Sequence, residues 1–195
     1  IKDEEKVTEE LDLVPISVYN KTKMVAERVF LSYSDRLQIH CIRPATVCGL
    51  SKRMRLDVSV NLLTFQALRN KKITVFGGSQ TRPNIHIDDM IRVYDHFLGN
   101  CEIQSGFFNA GFENISILDI AKLIQSKIDC EIEVKPSNDP RSYRLDSSKL
   151  MSTGFKPFKG INNAIDEIIN AYKKGLLEDK EESYTVRWMK KNKFK

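Results

Sequence analysis

Short apolar runs of strand character alternate along this chain with stretches in which apolar residues recur every three or four positions. That alternation selects an α/β layered fold, with helices packed on largely parallel strands. Val18, Met24, Val25, Val29 and Phe30 predict a helix from Ser17 to Tyr33. Leu37 to Ile42 reads as a strand that Arg43-Pro44 ends, because proline cannot donate to a continuing ladder. Helical spacing returns from Val58 to Leu68, and Lys71 to Phe76 is a strand stopped by Gly77-Gly78. Ile85 and Ile87 alternate with Asn84 and His86, after which Asp88 is the predicted cap of a helix through Met90, Val93 and Phe97. Phe107 to Gly111 reads as a strand and turn. Ser116 with Asp119 has the spacing of a capping box, and the helix it opens should bury Ile117, Ile120, Ala121, Ile124 and Ile128. Glu131 to Val134 alternates as a strand, Pro136 to Arg141 is loop, and Ile161, Ala164, Ile165, Ile168, Ile169 and Tyr172 mark a last helix.

Composition narrows the function classes. No apolar run approaches the roughly 20 residues that span a bilayer, and the first residues, Ile1-Lys2-Asp3-Glu4-Glu5-Lys6, are charged where a signal peptide is apolar. The expectation is neither membrane insertion nor secretion. Cys41, Cys48, Cys101 and Cys130 form no Cys-x-x-Cys pair, and His40, His86 and His96 supply no His-Glu-x-x-His pattern. Reduced thiols, a cytoplasmic setting and no metal follow as expectations. The net charge of +5 is concentrated at the end, in Lys190, Lys191, Lys193 and Lys195. With no aromatic-rich basic stripe elsewhere, nucleic-acid binding is not expected.

Tyr19 and Lys23 stand four residues apart, so on a helix both side chains leave the same face. An ammonium beside a phenol favours the phenolate, which makes a tyrosine usable for proton transfer. So short a pattern arises easily by chance, and the order of motifs around it decides.

Val7-Thr8-Glu9-Glu10 is followed by Pro15-Ile16-Ser17-Val18-Tyr19-Asn20-Lys21-Thr22-Lys23 and by Ile42-Arg43-Pro44-Ala45-Thr46-Val47-Cys48-Gly49. Then come Ile73-Thr74-Val75-Phe76-Gly77-Gly78, Arg82-Pro83-Asn84-Ile85-His86-Ile87-Asp88-Asp89, Phe108-Asn109-Ala110-Gly111, Ser116 to Ile120, and Asp139-Pro140-Arg141 through Asp146-Ser147-Ser148-Lys149. This order resembles the later part of extended short-chain dehydrogenases/reductases that act as NAD(P)-dependent sugar-nucleotide epimerases and dehydratases. The resemblance covers roughly four fifths of the chain, and six ordered motifs do not coincide by accident.

The resemblance implies a Rossmann-type parallel sheet, its later part in residues 1–50, with a small α/β substrate-binding lobe interwoven with the last strands in residues 51–195. It makes Tyr19 the catalytic acid/base and gives Lys23 the nicotinamide ribose to hold, with NAD or NADP as cofactor. Pro44, Ala45 and Thr46 would line the nicotinamide, where many sugar epimerases carry Tyr-Phe-Asn instead. Arg82 and Arg141 match arginines that grip the substrate's diphosphate, a task that suits a guanidinium fork. Asn61 falls where relatives place an asparagine near that diphosphate. Arg55 and Asp57 either reach the sugar nucleotide or pair with each other, while His86 and Asp88-Asp89 read as structural support for a turn.

The family's Gly-rich turn, which meets the cofactor's pyrophosphate, has no counterpart here, since Gly77-Gly78 follows the Tyr-Lys helix instead of preceding it. The Ser or Thr that relatives place about two dozen residues before the tyrosine would lie ahead of Ile1. The chain is therefore expected to be a C-terminal half that needs a missing N-terminal half. Epimerisation of a nucleoside-diphosphate sugar is the first expectation, dehydration or decarboxylation within the same family the alternative, and a truncated non-catalytic binding module the rival. By the same resemblance the intact protein is expected to be a homodimer paired through the Tyr-Lys helix, with Met24 and Val25 on the outer stripe.

Overall fold

Parallel strand pairing organises the chain. The computed structural model describes residues 2–139 and 141–192; Pro140 of the expected loop, and Lys193 and Lys195 of the basic tail, lie outside them. Strand β1 (Lys2–Val7) lies beside β9 (Ser142–Leu145), and β2 (His40–Pro44) beside β6 (Gly106–Ala110). Strand β3 (Thr46–Cys48) lies beside β5 (Thr81–His86), and β4 (Lys72–Phe76) beside β8 (Glu131–Lys135). All four pairs are parallel, and β7 (Glu113–Ser116) joins β5 antiparallel. Parallel neighbours demand crossover connections. Helices lie on them: α1 (Val18–Leu31), α2 (Ser59–Asn70), α3 (Ile87–Gly99) and α4 (Ile117–Gln125), while α5 (Ser148–Ser152), α6 (Ile161–Lys173) and α7 (Thr185–Lys191) follow the last strand. The α/β class read from the sequence is the class observed.

The apolar stripes explain the packing. Val60, Leu63 and Ala67 of α2, Ile120, Ala121 and Ile124 of α4, and Ile161, Ala164, Ile165 and Ile169 of α6 meet Ile73 and Val75 of β4 in one buried cluster. Ile117 is only partly buried at its edge. A second cluster joins Met90, Val93 and Phe97 of α3 to Phe108 and Ala110 of β6, Ala45, Leu150 and Phe155. Each large side chain so buried contributes about 1.5–3 kcal/mol. These two cores hold the strand ends that carry the candidate site.

Two of these expectations change, the start of β2 and the cap of α3. Strand β2 begins at His40, not Leu37, because Leu37 belongs to the turn after α1, where its N–H donates to Tyr33 O at 2.9 Å. The strand does end at Pro44, opposite Ala110, as the proline implied; the next N–H, of Ala45, donates to Ala110 O at 2.8 Å before β3 crosses to β5. The cap of α3 is His86 instead of Asp88, since the His86 ring accepts the Asp88 N–H at 3.1 Å. Strands β1 and β7, helix α5 and the C-terminal helix α7 have no apolar periodicity that announces them.

Candidate active site

Helix α1 opens where Ser17, in extended conformation, accepts the Asn20 N–H on its hydroxyl at 3.1 Å. Tyr19 and Lys23 then leave the same face, and the Lys23 Nζ lies 5.4 Å from the centre of the Tyr19 ring. Tyr19 is 68% exposed. Among the described residues nothing else engages the phenol or the ammonium. The three donors of a free ammonium suit ribose hydroxyls, and a free phenol suits proton exchange with a substrate hydroxyl. The residues thus fit the nicotinamide-ribose end of a dinucleotide. The pyrophosphate end has no Gly-rich cradle in this sequence.

The helix carries no buried side chain and is tied to the sheet by Glu27, whose carboxylate takes two hydrogen bonds from the Arg43 guanidinium, at 2.9 and 2.7 Å. Arg43 also lies over the Phe107 ring, 4.3 Å from its centre. Beyond Arg43, Pro44 is exposed, Thr46 is half-buried and Ala45 is buried. The Ala45 side chain turns inward against Gly111, where an added Cβ would come within 2.5 Å of Ala45 Cβ. Only the Ala45 backbone can face a cofactor, a narrower role than the sequence suggests.

Sequence reasoning missed the residue pair that fixes this strand end. The Asn109 N–H donates to Glu9 Oε1 at 2.7 Å, and the Asn109 amide donates to Val7 O and Asp146 O, each at 3.1 Å. Asn109 thereby clamps the ends of β1 and β9 against β6. The signal was present in the Thr8-Glu9 and Phe108-Asn109 motifs, but as isolated motifs they do not name each other as partners.

A second group gathers where β5 meets β9. Arg82, on β5, donates to Asp139 Oδ2 at 2.8 Å, and Arg141 donates to the two oxygens of the same carboxylate at 2.8 and 2.7 Å. The Arg141 hydrogen bonds, first of all, hold the Asp139 carboxyl well below the usual range, with the Arg82 charge adding to the effect. The turn that delivers Arg82 needs its two glycines, since Gly77 and Gly78 have φ of +78° and +112°. The structure therefore brings together the two arginines that the motifs singled out, with an unforeseen aspartate between them.

Asn61 is buried, and its amide is taken up by backbone. Its Oδ1 accepts the Gly49 N–H at 3.0 Å and its Nδ2 donates to Arg55 O at 3.0 Å, which pins the segment between β3 and α2. This geometry leaves Asn61 as a scaffold for that segment more than as a phosphate contact. Arg55 pairs with Asp57 at 2.8 Å, the second of the two expectations for them, and Asp57 also accepts the Thr185 N–H at 3.0 Å. His86, Asp88 and Glu167 offer three ligand atoms within 4.8 Å of one another. The Lys159 ammonium already lies between the two carboxylates, at 2.6 and 2.7 Å, so the group is a salt-bridged brace between α3 and α6. Among the described residues no helix is long and apolar enough to cross a membrane.

Comparison with known proteins adds family and scale. Residues 1–111 match the family model described as NAD dependent epimerase/dehydratase family. A Bacillus subtilis protein named as an uncharacterized UDP-glucose epimerase is 30% identical over 152 residues, 74% of this chain and 48% of the relative. A dTDP-D-glucose 4,6-dehydratase of Dictyostelium discoideum is 34% identical over 118 residues, 57% of this chain and 26% of the relative. The chain thus spans about half of the first relative's length and a smaller share of the second's. Among solved structures, UDP-glucuronic acid 4-epimerase from Bacillus cereus, in complex with UDP-glucuronic acid and NAD, superposes with a TM-score of 0.76 at 27% identity. That match covers 89% of this chain and 58% of the Bacillus cereus chain. The family is NAD-dependent, in keeping with the nicotinamide cofactor expected from the motif order. Fold, motif order and a family match over more than half of its residues make this chain a member of the NAD-dependent epimerase/dehydratase family.

Proposed function

We propose that this chain supplies the proton-transfer pair and the diphosphate grip of an NAD(P)-dependent sugar-nucleotide epimerase whose dinucleotide cradle lies in a further, N-terminal segment. The observation that carries the reading is the Tyr19/Lys23 face of α1, where phenol and ammonium stand together with no other partner among the described residues. When bound, the nicotinamide supplies hydride acceptance and return. Tyr19, as phenolate, takes the proton of the sugar hydroxyl whose carbon gives up the hydride, and returns a proton when the keto-sugar is reduced on its other face. Lys23 holds the nicotinamide ribose and keeps positive charge beside the phenolate. Arg82 and Arg141 hold the diphosphate, so that the sugar alone turns between the two half-reactions. Asn61 shapes the segment beside that grip.

A dehydratase outcome starts from the same oxidation, and the 34% identity to a dTDP-D-glucose 4,6-dehydratase favours it as the second reading. The free cysteines fit a reducing, cytoplasmic setting. Residues 1–50 would complete the dinucleotide-binding domain and residues 51–195 would carry the substrate lobe. Two copies of the enzyme would pair through α1, where Val25 and Val29 are exposed.

The test joins this chain to the missing segment and assays UDP- and dTDP-linked hexoses. Tyr19→Phe should abolish turnover while substrate affinity stays within several-fold, because the ring remains and only the proton-transfer group goes. Wild-type turnover by that variant would overturn the assignment.

A further inference from the structure

The carboxylate between the two arginines does something that neither motif announces. Arg82 is anchored from the strand side: its Nη1 donates to Thr81 O at 3.1 Å and to Arg141 O, and its side chain is only 13% exposed. Arg141 and Asp139 sit two residues apart in the segment between β8 and β9, where residues 136–138 are exposed and form neither helix nor strand. Two guanidinium groups this close repel each other unless an anion lies between them. Here that anion is Asp139, which meets both through the same oxygen, Oδ2, at 2.8 and 2.7 Å. The segment itself is further shaped by the Asp139 N–H on Ser137 Oγ and the Arg141 N–H on Asp139 Oδ1, each at 3.1 Å.

We infer that Asp139 is a built-in stand-in for the substrate's diphosphate: it holds Arg82 and Arg141 together in the unliganded protein and is displaced when a nucleoside diphosphate binds. The inference rests on the reading of these arginines as the diphosphate grip. Two cations and one carboxylate leave the group with one net positive charge, so it still attracts an anion. A diphosphate brings more negative charge and more acceptor oxygens than one carboxylate, and so it can outcompete Asp139 for both forks. Because the arginines keep Asp139 ionised, protonation does not release it at ordinary pH; only a competing anion does. Its place in an exposed segment lets it leave without opening either buried cluster. The stand-in has a cost and a benefit. It weakens substrate binding by the competition, and it spares the unliganded protein a partly buried arginine with no counter-charge.

The experiment is isothermal titration of the purified chain with UDP and with inorganic pyrophosphate, comparing wild type, Asp139→Asn and Asp139→Ser. Both variants should bind UDP about tenfold tighter than wild type, the equivalent of about 1.4 kcal/mol, with a steeper loss of affinity as salt rises. Pyrophosphate should show the same gain, since the base takes no part. Weaker binding by both variants would make Asp139 a fixed positioning partner of the arginines in the liganded state, and unchanged binding would make it a bystander; either overturns the inference. Far-ultraviolet circular dichroism and thermal unfolding with and without UDP guard against a folding defect: a destabilised variant that UDP stabilises more than it does wild type still supports displacement, and one that UDP stabilises less opposes it. Arg82→Ala and Arg141→Ala separate the two levels of the argument. If neither changes UDP binding, the diphosphate reading fails; if both weaken it while the Asp139 variants do not tighten it, only the stand-in fails.

Discussion

Glu27 and Arg43 face each other in a two-pronged ion pair less than a fifth exposed on either side, and among the described residues this is the side-chain hydrogen bonding that fastens α1 to the sheet. The helix that carries Tyr19 and Lys23 buries no side chain of its own, so its position depends on this pair more than on packing. Glu27→Gln keeps the shape but leaves the Arg43 cation without its counter-charge. The expected cost is about 1.5–3 kcal/mol, with faster amide exchange concentrated in residues 18–31. Uniform loss of protection across the chain, or none, would show that α1 is held by something else.

That dependence also shows what the sequence could and could not display. Helices α4 and α6 were legible because their isoleucines repeat at helical spacing, and such stripes have few other uses. Strand β1 was not: Lys2-Asp3-Glu4-Glu5-Lys6-Val7 has no apolar alternation, and its partner β9 lies more than a hundred residues away. The His86 cap was missed because aspartate is the commoner capping residue, while a buried ring nitrogen accepts the same N–H equally well. Arg82 and Arg141 were legible singly. That one carboxylate joins them is a fact of tertiary approach between β5 and the segment before β9, which local spacing does not encode.

Thiol reactivity should rank by burial. Cys101 is exposed, whereas Cys48 lies in the main core, where burial pushes its thiol up to about 12. Burial also raises Cys41 and Cys130, which are half-buried. Alkylation with iodoacetamide at pH 8, followed by mass spectrometry, should label Cys101 first and leave Cys48 unmodified until the chain unfolds. The same shift predicts alkaline weakening. An unfolded cysteine ionises near about 8.5, so the stability Cys48 contributes is complete below that pH and is lost as pH rises toward about 12. Rapid labelling of Cys48 in the folded chain would contradict the packing of β3 against α2.

On the acid side three aspartates set the limb. A hydrogen bond from Lys159 lowers Asp88, the Ser148 backbone N–H at 2.8 Å lowers Asp146, and Arg141 lowers Asp139. An unfolded aspartate titrates near about 3.9. Each of these groups therefore contributes stability that is fully present above that value and is lost as pH falls through its depressed folded one. Urea midpoints should hold steady from pH 7 to pH 5 and fall steeply between about pH 4 and pH 2. Lys159→Met should flatten part of that fall, by removing the group that depresses Asp88. A midpoint that fell equally between pH 7 and pH 5 would assign acid sensitivity to other groups.

The chain by itself should bind neither NAD nor NADP measurably and show no epimerase activity, yet gain both when an N-terminal segment of the family is supplied. A dinucleotide is held chiefly through its pyrophosphate, by the N–H groups of a Gly-rich turn at a helix N-terminus, and this sequence contains no such turn. What it does contain reaches only the other end of the cofactor: a free phenol, a free ammonium and the backbone at Ala45. Three contacts of that kind fall well short of the roughly 8 kcal/mol that micromolar affinity requires. Val18, Val29 and Phe30, each more than half exposed, make α1 an apolar surface that is costly to leave in water, so the isolated chain should also be poorly soluble and improve when co-expressed with that segment. Isothermal titration of the monodisperse 195-residue chain with NAD and NADP is decisive. Tight one-to-one binding would mean that these residues build a complete dinucleotide site, and would sink the half-enzyme reading.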